Sequence, residues 1–431
     1  MKIYLLSLGC DKNLADSEAM LGLLHNHNHE IATGPDVADI IIVNTCGFIQ
    51  AAVEEGIAAL LEMAKFKADG ACRLLIATGC MAERYRNQMR TEIPELDAIL
   101  GTNELHKIVE LIEPTKIGEI TEEEMYENRY STMPMHVVYV KISDGCDNHC
   151  TYCTIPSIKG AYRDRDFDSI LRECQKLAKN GAREIVVVAQ DTTLYGTEKY
   201  GKKRLHELLR EIAKIEEITW VRLLYAYPEH IYSELITEIA KNAKICSYID
   251  MPIQHSHTGV IARMARKNTD LRPLIATLKS YEIAIRTTLI VGFPGETEEE
   301  FAHLLDFVNE MKFWHMGVFM YSKEDGTVAA DLSNQVRASE KKSRYSRLTA
   351  LQTGIVQTNT KKLIGKTIQV MVDGSIIEGN GKYTGRTEWD AYEIDGAVHF
   401  TAPYDLLSGD TVQVRITATN GCDIYGVLVN D

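Results

Sequence analysis

Three apolar segments near the start of the chain each end in a cysteine. They read IYLLSLGC, IIIVNTC and LLIATGC, and their last residues are Cys10, Cys46 and Cys80. Helical patterns separate the segments, and this alternation of strand and helix predicts an open parallel α/β sheet. Such sheets place their sites at the carboxyl ends of the strands, and neighbouring strands lie about 5 Å apart. We therefore expect three thiolates to converge at one edge of the sheet.

One cysteine at a strand end is usually a buried packing residue. Three at equivalent strand ends favour a 4Fe-4S cluster whose fourth iron has no protein ligand. The N-terminal part covers residues 1–113, and residues 114–135 are acidic and aperiodic, as in a linker. Within 1–113, strands are expected at 2–8, 40–43 and 74–77, and helices at 16–25, 50–65 and 83–90.

Two further parts follow the linker. Residues 136–360 contain six strand patterns separated by helical patterns, which predicts a partial (βα)6 barrel. The expected barrel strands are 137–142, 184–189, 220–225, 248–251, 286–291 and 316–320. Residues 364–431 alternate in short strands, which predicts a small antiparallel β-barrel of the oligonucleotide-binding type. Its expected strands are 367–372, 392–400, 411–416 and 424–429.

A second group of cysteines directly follows the first barrel strand. The run SDGCDNHCTYC places Cys146, Cys150 and Cys153 in a Cys-x3-Cys-x2-Cys motif. Three thiolates on one loop can hold three irons of a 4Fe-4S cube. The open iron can then chelate S-adenosylmethionine (SAM), whose cleavage by one electron gives a 5′-deoxyadenosyl radical. A zinc site or a Cys-x-x-Cys redox pair is the alternative, but zinc takes four ligands and no second cysteine pair lies near.

The composition places the chain among globular cytoplasmic proteins. Hydrophobic residues make up 45% and charged residues 25%, and no stretch approaches the about 18 apolar residues of a membrane span. The N-terminal apolar run is too short for a signal peptide. In the cytoplasm the ten cysteines do not form a disulfide framework. The formal net charge of −14 argues against broad nonspecific nucleic-acid binding.

Seven motifs carry a resemblance: GCDKNLADSE (9–18), VNTCGF (43–48), TGCMAER (78–84), GCDNHCTYCTIPSIKG (145–160), YAYP (225–228), MPIQH (251–255) and VGFPGET (291–297). With them the chain resembles the radical-SAM methylthiotransferase family over essentially its full length. The resemblance implies an N-terminal methylthiotransferase domain, a radical-SAM core and a C-terminal TRAM domain. It also implies SAM and two 4Fe-4S clusters, whose ligands are Cys10, Cys46, Cys80, Cys146, Cys150 and Cys153.

The resemblance implies roles for several other residues. Ile155 and Pro156 would flank the adenine of SAM. Gln190 and Asp191 end a barrel strand and would contact the methionine part of SAM or the substrate. Asp191 is equally suited to capping the next turn.

A glycine-rich turn and a histidine follow other barrel strands. Gly292, Pro294 and Gly295 either present backbone amides to a ligand or form only a tight turn between strand and helix. Gln254 and His255 end a strand at the same rim, where His255 is expected to line the site rather than to act as a base. The catalytic residue stays open among Asp191, Gln190 and His255.

Other conspicuous side chains are expected to take no part in the chemistry. Solvent exposure is expected for two arginines and three histidines: Arg163, Arg165, His25, His27 and His29. Packing is expected for the four remaining cysteines: Cys72, Cys174, Cys246 and Cys422. Residues 122–124 are expected to be a solvated part of the linker.

The family resemblance implies a reaction with two uses of SAM. One SAM methylates a sulfide on the auxiliary cluster, and another generates the radical, so that a methylthio group is added to an unactivated carbon. The substrates of the family are tRNA adenosines and, in one branch, the β-carbon of an aspartate in small-subunit ribosomal protein S-twelve. The runs TCGFI, PSIKG and YAYP resemble that branch, although Tyr392 stands where a proline is expected in its TRAM motif.

Charge favours the ribosomal protein as substrate. Residues 364–431 carry four basic and ten acidic residues, a net charge of −6. A barrel that grips tRNA should be basic, whereas an acidic one suits a basic ribosomal protein. A tRNA methylthiotransferase is the alternative. A non-catalytic RNA-binding module is disfavoured, because structural clusters normally fill every iron. An electron donor such as a flavodoxin or a ferredoxin is the second expected partner.

Overall fold

The computed structural model describes residues 1–114, 120–267, 269–377 and 381–429. Residues 115–119 of the expected linker, and 378–380 and 430–431 of the expected C-terminal part, lie outside the described residues. The described chain contains an N-terminal parallel sheet, a six-stranded partial barrel and a closed C-terminal barrel. The predicted α/β fold class is confirmed.

The N-terminal elements are β1 (Lys2–Ser7), α1 (Asp11–Asn26), β2 (Glu30–Ile31), β3 (Ile40–Thr45), α2 (Gln50–Asp69), β4 (Leu74–Gly79), α3 (Cys80–Arg84), α4 (Arg86–Glu92), β5 (Ala98–Leu100) and α5 (Ile108–Ile112). The strands form a parallel sheet of order β2-β1-β3-β4-β5. Side chains alternate between its faces: Ile40 and Ile42 pack with α1 and α5, whereas Ile41 and Val43 pack with α2. Helices therefore cover both faces.

The central elements are α6 (Glu122–Met125), β6 (Val137–Lys141), β7 (Ser143–Asp144), α7 (Ile155–Lys159), β8 (Arg163–Asp164), α8 (Phe167–Lys179), β9 (Glu184–Val188), α9 (Thr197–Tyr200), α10 (Leu205–Ala213), β10 (Trp220–Leu223), α11 (Ser233–Lys241), β11 (Tyr248–Asp250), α12 (Thr258–Arg263), α13 (Arg272–Ser280), β12 (Ala284–Val291), α14 (Glu298–Met311), β13 (His315–Met320), α15 (Val328–Asp331) and α16 (Ala338–Lys361). Strands β10-β9-β6 form one parallel sheet and β11-β12-β13 another. A parallel bridge between Val221 and Ile245 joins the two sheets. The six predicted barrel strands are all present.

The C-terminal elements are β14 (Thr367–Ile377), β15 (Lys382–Arg386), β16 (Val398–Thr401), β17 (Thr411–Asn420) and β18 (Asp423–Leu428). They close into a barrel of order β14-β15-β16-β18-β17, in which only β16 and β18 pair in parallel. Met371 and Ala391 from this part pack against Tyr139, Val186 and other side chains inside the partial barrel. The C-terminal part thus contributes to the core of the central part.

Three differences between the structure and the expected elements have a clear physical reason. The expected helix 83–90 is two helices, because the chain breaks at Tyr85 between α3 and α4. The expected strand 392–400 begins only at Val398, since the residues before it form turns. Strand β15 was not expected, because its sequence KYTGR lacks an apolar alternation.

Candidate functional site

The three N-terminal cysteines meet at one edge of the sheet because their strands end side by side. β3 and β4 pair in register up to Thr45 and Gly79, so Cys46 and Cys80 are the next residue of each chain segment. Cys10 follows β1, which is the other neighbour of β3. The structure therefore brings together the three residues that the sequence singled out.

Glycines allow the three cysteine loops to touch. Gly9 has a φ of +93°, and a Cβ there would lie 2.6 Å from Cβ of Cys46. A Cβ on Gly47 would lie 2.8 Å from Cα of Met81, in the loop that begins with Cys80. Both distances are too short for any other residue, so Gly9 packs directly against the side chain of Cys46, and Gly47 packs against the backbone at the start of α3.

The surroundings of these thiols fit a metal-bound group. Burial raises the pKa of Cys80 to about 12 and also raises that of Cys46, and the neighbouring Cys10 adds to both increases. Iron must therefore displace protons when it binds, as thiolates are the ligands. The backbone N–H groups of Gly47 and Phe48 donate to Cys46. Amide donors of this kind stabilise thiolates in iron–sulfur sites.

The second group of cysteines occupies the loop between β7 and α7. The side-chain amide of Asn148 donates to Sγ of Cys146 at 3.3 Å, and the backbone N–H of Ile155 donates to Sγ of Cys153 at 3.4 Å. Burial raises the pKa of Cys146 to about 11 and that of Cys153 to about 12. This loop, with Cys150 between them, also fits a cluster.

Neither group of cysteines is arranged around a single ion. In the described ranges, no three His, Cys, Asp or Glu side chains lie close enough together to share one metal ion. In a 4Fe-4S cube each thiolate binds its own iron, so the three sulfurs need not meet at one point. This spacing is therefore compatible with a multi-iron group.

The two groups of cysteines face each other across the open end of the barrel. Thr154, next to Cys153, donates its hydroxyl hydrogen bond to the carbonyl of Phe48, two residues after Cys46, at 3.5 Å. Beside this contact, the hydroxyl of Thr102 donates to the carbonyl of Ile158 in α7 at 3.2 Å. The loops that carry the two groups are thus in direct contact.

Four buried charges connect the two groups. Lys159 lies 3.4 Å from Asp16 and 3.2 Å from Asp144, and Lys141 lies 2.6 Å from Asp16 and 2.9 Å from Asp144. Asp16 belongs to the N-terminal part and the other three to the central part. Lys159 is also near enough to Cys80 to lower its pKa against the effect of burial. A balanced ion cluster thus lies between the two sites.

A second contact between the parts lies beside Cys10. The hydroxyl of Tyr225 donates to Oδ1 of Asp11 at 3.1 Å, and Nζ of Lys12 lies 3.2 Å from the centre of the same ring. Tyr225 has a φ of +59°, which is strained for a non-glycine residue. The barrel rim therefore contacts the Cys10 loop through Tyr225, a residue whose own backbone conformation is unfavourable.

The structure places Asp191 in a capping role. Its Oδ1 accepts from the backbone N–H of Thr193 at 3.1 Å, and its Oδ2 accepts from Asn148 and His230, each at 2.9 Å. Gln190 donates to Oδ1 of Asp144 at 2.9 Å. Asp191 is fully buried, so these three partners occupy the carboxylate.

Two glutamines at strand ends fit the amino group of SAM. Oε1 of Gln190 and Oε1 of Gln254 are buried and accept no hydrogen bond from the residues that the structure describes. Gln254 has a φ of +68°, again strained. Unpaired buried acceptors at the carboxyl ends of barrel strands are suited to an ammonium donor. Ile155 and Pro156 begin α7 at the same rim.

The glycine-rich turn and His255 face inwards. The backbone N–H groups of Gly292 and Phe293 donate to Oε2 of Glu296, and that of Gly295 donates to a backbone carbonyl, so these amides are already paired. His255 is buried, and its Nε2 lies 3.5 Å from Glu296. Burial lowers the pKa of His255. Because the amides of the glycine-rich turn are paired within the protein, the geometry favours a tight turn between strand and helix over a turn that binds a ligand.

Some expectations of exposure were wrong. Arg165 is buried, with its guanidinium 2.8 Å from Glu173, whereas Arg163 is half-buried. His29 is buried and lies 3.6 Å from Glu113. Cys72, Cys174 and Cys246 are buried as expected, but Cys422 is exposed and is not a packing residue. A charged side chain is buried when tertiary neighbours pair with it, which local sequence does not reveal.

Three acidic residues of the C-terminal part contact the barrel. Asp390 and Asp395 lie 2.9 Å and 3.6 Å from the ring of His315, and Asp395 also lies 3.2 Å from Arg286. The carboxylate of Glu388 accepts from the backbone N–H of residue 247. These three carboxylates are therefore engaged within the molecule, whereas Glu393, Asp405 and Asp410 are exposed, so the net charge of this part overstates the acidity of its outer surface.

Sequence reasoning missed several residues at the site. Asn148, Lys159, Tyr225 and Tyr227 contact the cysteine loops, and Lys12, two residues after Cys10, contacts the ring of Tyr225. All five lie inside the motifs quoted above. The motifs therefore contained the signal, but only the fold shows which side chain of each motif points to a cysteine.

Comparison with known families agrees with the three-part architecture. The uncharacterized protein family UPF0004 matches residues 2–101, the radical SAM superfamily matches 140–308, and the TRAM domain matches 364–429. With the Cys-x3-Cys-x2-Cys loop at the rim of the barrel, these matches define a radical-SAM enzyme. No helix in the described part of the chain has the length and apolar character to cross a membrane.

Curated relatives narrow this class. A protein of Clostridium botulinum called ribosomal protein uS12 methylthiotransferase RimO is 44% identical, over 100% of this chain and 99% of its own length. Proteins of the same name from Lachnoclostridium phytofermentans and Desulforamulus reducens are 43% and 45% identical, each over 99% of both chains. The chain belongs to the RimO family of radical-SAM methylthiotransferases, enzymes that transfer methylthio groups.

Solved structures confirm the fold alone. The radical SAM methyltransferase TsrM from Kitasatospora setae aligns with a TM-score of 0.53 at 12% identity, covering 74% of this chain and 72% of TsrM. The cobalamin-dependent SAM radical enzyme OxsB aligns with a TM-score of 0.52 at 13% identity, covering 81% of this chain and 60% of OxsB. An iron–sulfur cluster and SAM fit the superfamily and the loop described above.

Proposed function

We propose that this enzyme adds a methylthio group to the β-carbon of an aspartate in ribosomal protein uS12 (S-twelve). The relatives that match over their full length are named for uS12, which supports this substrate. The observation that carries the proposal is the contact between the two cysteine loops through Thr154 and Phe48. A sulfur-carrying group and a radical-generating group must act on one carbon, so their loops must be neighbours.

The proposal assigns one 4Fe-4S cluster to each group of cysteines. Cys10, Cys46 and Cys80 would hold the auxiliary cluster, and Cys146, Cys150 and Cys153 the cluster that binds SAM. When bound, these groups supply a methyl group from one SAM and a 5′-deoxyadenosyl radical from another. Each group of three thiolates leaves one iron open for sulfide or for SAM.

The chain itself would hold, orient and shield these groups. Gln190 and Gln254 offer unpaired oxygens to the amino group of SAM. The contact between Tyr225 and Lys12 and the ion cluster around Lys159 keep the N-terminal part over the barrel opening. Closure from two sides excludes water from the reacting carbon. The catalytic residue among Asp191, Gln190 and His255 stays open, although the contacts of Asp191 favour a positioning role.

The remaining parts of the proposal concern partners and compartment. A small redox protein such as a flavodoxin or a ferredoxin would supply the electron. The reaction would take place in the cytoplasm, where uS12 is made. A tRNA substrate stays the alternative, because the charge of the C-terminal part does not exclude it.

Mass spectrometry of both substrates tests the proposal. Reconstituted enzyme with SAM, sulfide and a reductant is incubated with uS12 or with unmodified tRNA. The proposal predicts a gain of about 46 Da on one aspartate of uS12 and no change in tRNA. A gain on tRNA alone would overturn the assigned substrate. SAM cleavage without a gain on either would show that a different acceptor is required.

A further inference from the structure

A chain of contacts leads from one loop cysteine towards the next. The amide of Asn148 donates to Sγ of Cys146 and to the carboxylate of Asp191. On the other side, Nδ1 of His230 lies 2.9 Å from the same carboxylate oxygen. The ring of His230 stacks on that of Tyr227, with ring centres 4.9 Å apart and planes at 27°.

Tyr227 completes the chain at Cys150. Its hydroxyl oxygen lies 3.8 Å from Sγ of Cys150. A thiolate that binds iron has no proton, so in that state the hydroxyl must be the donor. Tyr152 also hydrogen-bonds Cys150, so this sulfur has two tyrosines near it.

Tyr227 makes two further contacts, one through its backbone and one through its ring. Its backbone N–H donates to the hydroxyl of Thr193 at 3.3 Å. The guanidinium of Arg266 lies 4.2 Å from the centre of the ring, and Arg266 is itself buried and donates to the carbonyl of Pro252 at 2.8 Å. A ring in contact with both His230 and Arg266 has little freedom to turn its hydroxyl away from Cys150.

We propose that Tyr227 is a positioning residue that raises the reduction potential of the cluster on the Cys146–Cys150–Cys153 loop by donating a hydrogen bond to Cys150. Hydrogen bonds to the sulfurs are one of the features that set the potential of an iron–sulfur cluster. Reduction adds negative charge, which a donor stabilises. The inference rests on the proposed function in one respect, the assignment of a cluster to this loop.

The test measures the midpoint potential of this cluster alone. Cys10→Ser, Cys46→Ser and Cys80→Ser in the full chain remove the ligands of the other cluster and provide the background. In that background, Tyr227→Phe should lower the equilibrium constant for reduction by about tenfold. For a one-electron couple this is a shift of about 59 mV to lower potential. The potential is read from the EPR signal of the reduced cluster during a redox titration.

Tyr232→Phe is the matched control. Its hydroxyl lies 3.0 Å from Nδ1 of His206, and its removal should leave the potential unchanged. A second variant protects the test against loss of folding: a ring-fluorinated tyrosine at 227 keeps the shape and donates a stronger hydrogen bond. It should shift the potential in the opposite direction, upwards.

The outcomes separate this inference from the proposed function. Equal potentials in the background chain and in both variants at position 227 would overturn the role of Tyr227 while leaving the cluster assignment intact. Iron lost only from Tyr227→Phe would also overturn this role, because the hydroxyl would then be needed to assemble the cluster and not to set its reduction potential. A background chain that binds no iron would overturn the cluster assignment and the inference together.

Discussion

Gly9 determines how closely the Cys10 and Cys46 loops can approach. Its φ of +93° is strained for any other residue, and a Cβ would lie 2.6 Å from Cβ of Cys46. The neighbouring atom belongs to a short side chain next to the backbone, so it cannot swing away. The N-terminal site therefore depends on Gly9, although Gly9 is not itself one of the proposed ligands.

Gly9→Ala should destabilise the protein by about 1–3 kcal/mol through backbone strain and should also displace the Cys46 loop. We expect a lower urea midpoint and less iron bound per chain. Gly201→Ala is the control, because Gly201 has a φ of +67° but no atom within 4 Å of its would-be Cβ. Equal iron loss in both variants would show that strain alone, and not the loop contact, is responsible.

The cysteines that are candidate iron ligands could be predicted from the sequence, whereas the ion-pair partners of buried charged residues could not. Cysteines at three strand ends and in one short loop follow from spacing and from the topology of parallel sheets. The partners of Arg165 and His29 come from distant segments, Glu173 and Glu113, and local sequence does not show which segments will be adjacent. Asp191 was ambiguous because capping and ligand binding place the same residue type at a strand end.

At the scale of elements, the segment between the first two parts is anchored. Arg129, with 1% of its side chain exposed, pairs with Glu18 of α1 and with Glu173 of α8. Tyr126, just after α6, donates to Asp16 and is buried. The segment expected as a linker is therefore anchored at Tyr126 and Arg129, which connect the N-terminal part to the barrel, whereas Glu123 and Glu124 are exposed.

Arg129→Met should cost about 3–5 kcal/mol, because it leaves Glu18 buried without its cation and leaves Glu173 paired with Arg165 alone. Urea unfolding measures this. Arg172→Met should cost about 0–1 kcal/mol, since Arg172 is 54% exposed and lies 3.7 Å from Glu127. Adding Glu18→Gln to Arg129→Met should restore part of the stability, because Glu18 then no longer carries an unpaired buried charge. A cost below that of Arg172→Met would contradict an anchoring role.

Strand positions were predictable wherever apolar residues alternate or run together, as in all six barrel strands. The C-terminal barrel was harder. Residues 392–397 were expected to begin a strand, but the strand begins only at Val398, and the side chain of Asp395 pairs with Arg286 of the barrel. Tertiary contacts between two parts override the local pattern there.

At the scale of the whole molecule, the partial barrel is covered at both ends. The N-terminal part lies over the carboxyl ends of its strands, where Tyr225 meets Lys12. The C-terminal part meets the opposite ends, where His315 begins β13. The N-terminal part therefore contributes directly to the site, whereas the C-terminal part supports the barrel from behind.

The contact at His315 should depend on pH. Burial opposes the charged form of His315, but the carboxylates of Asp395 and Asp390 outweigh burial and raise its pKa. The protonated ring therefore stabilises the fold fully below the unfolded-state pKa of about 6.5, and this stabilisation is lost as pH rises through the folded-state pKa.

Thermal unfolding of the wild type and His315→Asn measures this effect. The difference in Tm should be largest at about pH 6 and should shrink towards about pH 9. His399→Asn is the control, because its ring stacks on Tyr425 and pairs with no carboxylate among the described residues. A difference that grows with pH would contradict the stabilising charge on His315.

The central claim is that two groups of three cysteines hold two separate clusters on facing loops. Iron and sulfide analysis tests it most directly, on chains reconstituted without oxygen. We predict about eight irons in the wild type and about four in each of two triple variants, one with serine at Cys10, Cys46 and Cys80 and one with serine at Cys146, Cys150 and Cys153. About four irons in the wild type, or the loss of all iron in either triple variant, would contradict two independent clusters.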